Sequence, residues 1–152
     1  MRRIVASSFL VGFVPRRLWG SDAGAGTFGA AVGAGAAVIL LLVDAPWWVS
    51  LLAAAAAVGA SWWAAAPFGA EGDDPGWVCI DETAGTLVAV VGLGGWPWVA
   101  AVVVARLADI FKVLPGVRQA ERLGGGLGIT ADDVVAGCYG LGVGWLLTAI
   151  AG

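Results

Sequence analysis

Three short acidic segments of this 152-residue chain carry the side chains that could do chemistry together. The first is Asp81-Glu82-Thr83-Ala84-Gly85. Adjacent carboxylates at the mouth of an apolar segment are costly unless a cation neutralises them. Hard oxygen donors favour Mg²⁺, which takes one or two carboxylates together with phosphate oxygens of a substrate. A plainer reading is a solvated helix start behind the Asp74-Pro75-Gly76 turn. The second segment places Arg106, Asp109 and Lys112 three residues apart, hence on one broad helix face. There an Asp between two cations can hold a metal while the cations grip phosphate. The same spacing also describes a ladder of helix ion pairs worth ~0.2–0.5 kcal/mol each.

The third segment runs Gly124-Gly125-Gly126-Leu127-Gly128-Ile129-Thr130-Ala131-Asp132-Asp133. A glycine-rich loop entering a helix offers bare N–H groups to an anion. Thr130 with Asp133 three residues on resembles a capping box, which gives Asp133 a structural use. Asp132 has no such use, and a second acid beside it raises the cost of burial. A weaker fourth element, Ala25-Gly26-Thr27-Phe28-Gly29, opens an apolar stretch. It fits phosphate binding through N–H groups and the Thr27 hydroxyl, and equally the close packing of small residues.

What is missing narrows the chemistry. The chain has no histidine, which removes phosphohistidine intermediates and His-ligated zinc. Neither Cys79 nor Cys138 is followed by Arg six residues on, as a cysteine-phosphatase loop requires. Cys138 reads as a packing residue; Cys79, two residues before Asp81, reads as packing or as site wall. No Asp-x-Asp and no P-loop occurs. Metal-assisted attack of water on phosphorus, driven by carboxylates, survives.

The elements that must position these groups are membrane helices. Residues are 60% hydrophobic and only 12% charged, against about 25% charged in soluble domains. Nine Trp and 25 Gly suit interfacial belts and close helix packing. No basic patch with interleaved aromatics points to nucleic acid. The N-terminal Met-Arg-Arg and apolar run to Val14 predict a short, uncleaved amphipathic or membrane-dipping helix. Apolar stretches follow at 27–43, 47–68, 80–108 and 134–151. As one helix, 84–105 would span ~33 Å and cross the bilayer. Three glycines and Pro97 between Gly92 and Pro97 favour a hairpin instead. With the hairpin, every charge except Asp44 falls on one side, Glu71, Asp73 and Asp74 included. That side holds all eight Lys and Arg, so it should be cytoplasmic. The expected fold is all-α and polytopic: a short N-terminal helix, two hairpin-like units of membrane helices, and a C-terminal membrane helix, forming one domain over 1–152.

At this point the motifs resemble the phosphatidylglycerophosphatase A family. Residues 81–85, 106–112 and 125–137 resemble its three acidic motifs, and Ala25-Gly26-Thr27-Phe28-Gly29 its N-terminal Pro-Gly-Thr-x-Gly. Ala25, Val113 and Gly124 depart from common family residues at turns and rims, not at the acids. The resemblance implies a Mg²⁺-dependent, all-helical, multi-pass enzyme of the cytoplasmic (inner) membrane, with its site on the cytoplasmic face. Its substrate would be phosphatidylglycerophosphate, hydrolysed to phosphatidylglycerol and inorganic phosphate, among membrane lipids. On that reading Asp81, Glu82, Asp109, Asp132 and Asp133 are metal candidates, with Asp132 and Asp81 also catalytic. Thr27, Arg106, Lys112, Gly125 and Gly126 are substrate-binding candidates. The rival class is a small ion or solute transporter using the one-sided carboxylates, and a third is a subunit without activity. Oligomeric state is not legible in the sequence.

Overall fold

Burial in this chain runs opposite to that of a soluble protein. In the computed structural model, which describes residues 1–69 and 75–151, Ala64, Ala65, Ala84, Ala89 and Ala101 are fully buried. Leu42, Leu52, Trp47 and Ile150 are all more than half exposed. In lipid, large apolar side chains gain nothing by leaving the surface, so small residues take the helix contacts. Glu71, Asp73 and Asp74 lie outside the described residues.

The described residues are helical, with no strand. A short α1 (Arg2–Ala6) is followed by a left-handed turn at Ser8, Phe9 and Leu10, a single 3₁₀ turn, and α2 (Val14–Trp19). The N-terminal helix expected from the sequence is thus two short pieces. They clasp the start of the helix that opens at Ile80: the Ser8 hydroxyl donates to the Cys79 carbonyl at 3.1 Å and shares a 2.7 Å hydrogen bond with Thr83. Arg3 lies over the rings of Phe13 and Trp77.

α3 (Ala25–Leu42) and α4 (Trp47–Ala65) form the first hairpin, turning at Asp44-Ala45-Pro46. Both are long and apolar enough to cross a membrane, as is α8 (Gly125–Ala151). Exposed Trp47 and Trp48 at one end of α4, and Trp62 and Trp63 near the other, fit two interfacial belts.

The 80–108 stretch is broken, as its glycines predict. α5 (Ile80–Ala89) runs in, the chain turns over Val90–Gly94 with Gly92 at φ +69°, and α6 (Gly95–Phe111) returns. Pro97 lies in the first turn of α6, where its missing N–H costs no helical bond. The tip reaches the far ends of its neighbours. The Gly92 N–H donates to Ser50 Oγ at 3.0 Å, and Trp145 Nε1 donates to the Val91 carbonyl at 3.2 Å. After a short α7 (Val117–Glu121), α8 begins at Gly125, nine residues before the apolar run that signals it. Thr130 is therefore helix interior and caps nothing. Its hydroxyl donates to the Gly126 carbonyl at 2.9 Å and shares a 2.7 Å hydrogen bond with Ser61 of α4.

Candidate active site

Glycine fixes where the acids meet. α5 and α8 cross at Gly85 and Gly137, each lying against the other helix's backbone. A Cβ on Gly85 would fall 2.6 Å from the Asp133 carbonyl oxygen, so only glycine permits this approach. The crossing brings the first turn of α5, with Asp81 and Glu82, level with Asp132 and Asp133 in α8. Acids suit that first turn, where unpaired N–H groups leave partial positive charge. α6 returns from the hairpin tip and places Arg106 and Asp109 beside them.

The cluster is close-set. One carboxylate oxygen from each of Asp109, Asp132 and Asp133 lies within 4.8 Å of the others. Asp132 and Asp133 are buried, Asp109 partly so. Arg106 Nη1 donates to Asp109 Oδ2 at 2.8 Å and lies 3.8 Å from Asp133 Oδ1. Lys112 Nζ donates to Asp132 Oδ2 at 2.8 Å and to Glu121 Oε1 at 2.7 Å. Asp132 Oδ1 accepts the Asp133 N–H at 3.1 Å. Lys112 ends α6 with φ +49°, and that left-handed turn carries the chain away to α7. Burial opposes its charge, but hydrogen bonds and the charges of Asp132 and Glu121 outweigh it, and its pKa rises. Lys112 is a fixed cation at neutral pH.

Glu82 completes the inner wall. It lies within hydrogen-bond range of Asp81 and close to Arg106, Asp109 and Asp133. Its Oε1 lies against Gly26 of α3, where any Cβ would collide with it. Its Oε2 is buried without a hydrogen-bond partner among the described residues. Five carboxyls (Asp81, Glu82, Asp109, Asp132 and Asp133) thus face two cations, Arg106 and Lys112. Crowded acids of this kind need protons or a cation. All-oxygen donors and an unused buried lone pair fit a hard divalent cation, and the Asp109–Asp132–Asp133 cluster could hold one.

The remaining sequence candidates fall at different distances from this cluster. Thr27 is exposed in the first turn of α3 and shares a cleft with Arg106. Gly125 lies near Gly69, and Gly126 lies against Ala66 and the Trp62 carbonyl, so their close contacts hold α8 against the end of α4. Cys79 is buried, and burial pushes its thiol up to about 12, so it packs rather than attacks. Sequence reasoning missed Glu121 as a partner of Lys112. Nine residues separate them across a bend, and no helical period links them.

The family model of phosphatidylglycerophosphatase A matches residues 4–148. A putative phosphatidylinositol-3-phosphatase of Bacteroides thetaiotaomicron is 41% identical over 85 residues, covering 53% of this chain and 50% of that protein. A phosphatidylglycerophosphatase A of Escherichia coli is 38% identical over 74 residues, covering 46% of this chain and 42% of that protein. The chain spans half or less of the length of these curated relatives. No solved structure matches it. The match over most of the sequence places the chain in the phosphatidylglycerophosphatase A family.

Proposed function

We propose that this family member is a single membrane-embedded phosphatase domain that hydrolyses a phosphate monoester on a lipid headgroup, phosphatidylglycerophosphate first among candidates. The observation that carries the reading is the set of Asp109, Asp132 and Asp133 oxygens within 4.8 Å, flanked by Arg106 and Lys112. Carboxylates of that density suit Mg²⁺, and two cations beside them suit a phosphate dianion. The names of the two relatives refer to different lipids, but both are phosphate monoesters.

Asp109, Asp132 and Asp133, with Glu82 and Asp81 behind them, would hold Mg²⁺, which when bound supplies positive charge to the phosphoryl oxygens and acidifies water. Arg106 and Lys112 bind the phosphate. The incoming dianion draws Lys112 from Asp132 and leaves that carboxylate able to accept a proton from the attacking water. Asp81, next to Glu82, adds its negative charge to the inner wall that would hold the cation. One P–O bond to the glycerol oxygen breaks and one to the water oxygen forms. The proton taken by Asp132 ends on the departing hydroxyl. Thr27, at the exposed start of α3, borders the headgroup. Because all eight Lys and Arg belong to segments at the site end, that end is assigned to the cytoplasmic face of the inner membrane. A transporter would place its acids along a path near the midplane, whereas these cluster at one end of the bundle.

The test is phosphate release from phosphatidylglycerophosphate, phosphatidylinositol 3-phosphate and phosphatidate in detergent, with Mg²⁺ and with EDTA. Release from phosphatidylglycerophosphate that EDTA abolishes and Mg²⁺ restores is expected. Asp132→Asn and Asp81→Asn should abolish it. No release from any lipid, or near-normal activity in both variants, would sink the reading.

A further inference from the structure

We infer that the cleft between α3 and α6 is the lateral entry of the lipid and holds one of its acyl chains along the bundle. The inference rests on the lipid-phosphatase reading and names which face of the protein the substrate uses.

α3 and α6 each pack on α5 but hardly on one another. The gap they leave is a cleft of about 370 Å³ walled by Thr27, Ala31 and Ala34 on α3 and by Val102, Arg106 and Ile110 on α6. Its walls are apolar apart from the Thr27 hydroxyl and the Arg106 head at its upper end. Arg106 is also the cation that contacts Asp109 and Asp133. The cleft therefore adjoins the acid cluster at one shared side chain.

One helical repeat further along, Ala37 and Leu41 on α3 and Trp98 on α6 line a second cavity of about 210 Å³, with Leu87 and Val90 of α5 behind them. From Thr27 to Leu41 the two cavities follow one another along ~21 Å of α3. Small residues line the α3 side of the upper cleft, and below Arg106 neither cavity is lined by a charged side chain. A polar head at Arg106 with a hydrocarbon tail beneath matches this gradient. A free phosphate ester in water would have no use for the lower part.

The contrast with other lipid-facing surfaces is testable. Ala34→Phe and Ala31→Phe would fill the upper cleft. Ala56→Phe, on an exposed face of α4, is the control. Long-chain and dihexanoyl forms of the same lipid phosphate are compared for kcat/KM. Each cleft variant should lose roughly tenfold on the long-chain form and stay within about twofold on the short one. The control should match wild type on both. In parallel, wild-type protein is crosslinked to a long-chain phosphatidylglycerol with a diazirine in its tail, and the adducts are mapped by mass spectrometry. Adducts should concentrate on residues 30–41 and 98–110, and diminish in Ala34→Phe. Adducts spread evenly over all faces, or equal losses on both substrates, overturn the inference. Adducts at the cleft in a protein that releases no phosphate would overturn the phosphatase reading and leave the cleft standing.

Discussion

The acid cluster has an inner wall and an outer rim, and they are built differently. The inner wall, made by Asp81, Glu82 and Asp133, sits on a glycine-to-glycine helix crossing, and Arg106 is the cation that reaches it. The rim, made by Asp132, Lys112 and Glu121, joins α8 to the bend after α6 and opens to solvent at Glu121. Inner acids are crowded beyond what one guanidinium neutralises. Rim acids are matched by an ammonium that touches both. The crowding marks where a cation belongs, and the matched rim marks where a substrate anion can enter by exchange.

Removing charge from the inner wall should therefore separate activity from stability. Asp133→Asn keeps the shape and deletes one buried carboxylate among like charges. Phosphate release should fall by about 10²–10³-fold, the scale seen when one preorganised electrostatic contact is lost. The melting temperature in detergent should hold or rise, because the repulsion it relieves from the neighbouring acids outweighs its 3.8 Å ion pair with Arg106. A variant that keeps wild-type kcat, or that unfolds, would show that Asp133 is a structural ion-pair partner of Arg106 instead.

Gly85→Ala tests the crossing beneath that wall. The new Cβ would lie 2.6 Å from the Asp133 carbonyl oxygen and 3.0 Å from its Cβ, so α5 and α8 must part. Overpacking of this kind costs ~1–3 kcal/mol. Thermal unfolding should register the loss, and activity should drop further than stability alone explains, since Asp81 and Glu82 move with α5. A neutral outcome in both measurements would mean that the acids do not depend on the crossing.

These two regions were not equally legible in the sequence. Broken helices announced themselves through Gly92, Gly94, Gly95 and Pro97, and the hairpin brought α5 and α6 back to one end. Asp132 stood out because a second acid beside it raises the cost of burial, whereas Asp109 fitted an ion-pair ladder equally well and Asp133 a helix cap. The start of α8 was hidden, because Gly124–Gly128 reads as a loop. Gly126 and Gly128 are helical there, and α4 and the turn before α8 press on them so closely that larger residues would not fit. Tertiary contact overrode local propensity there. The partnership of Lys112 with Glu121 was hidden for a different reason: it spans a bend with positive φ at Lys112 and Gly116, and no sequence period records it.

That missed partnership gives the smallest expected effect and the sharpest view of the rim. Glu121 is more than half exposed, and its bond to Lys112 competes with water. Exposed pairs contribute ~0–1 kcal/mol, so Glu121→Gln should leave the melting temperature nearly unchanged. Its effect belongs to binding. Lys112 must leave one acid to grip phosphate, and with Glu121 neutral it has only Asp132 left to leave. KM for the lipid phosphate should fall by about two- to threefold with kcat unchanged, the ratio that ~0.5 kcal/mol produces. Added salt should shrink the difference, because it screens the same exposed charge. A tenfold loss of kcat would place Glu121 among the groups that act on the reacting phosphate, and the rim would then be part of the wall.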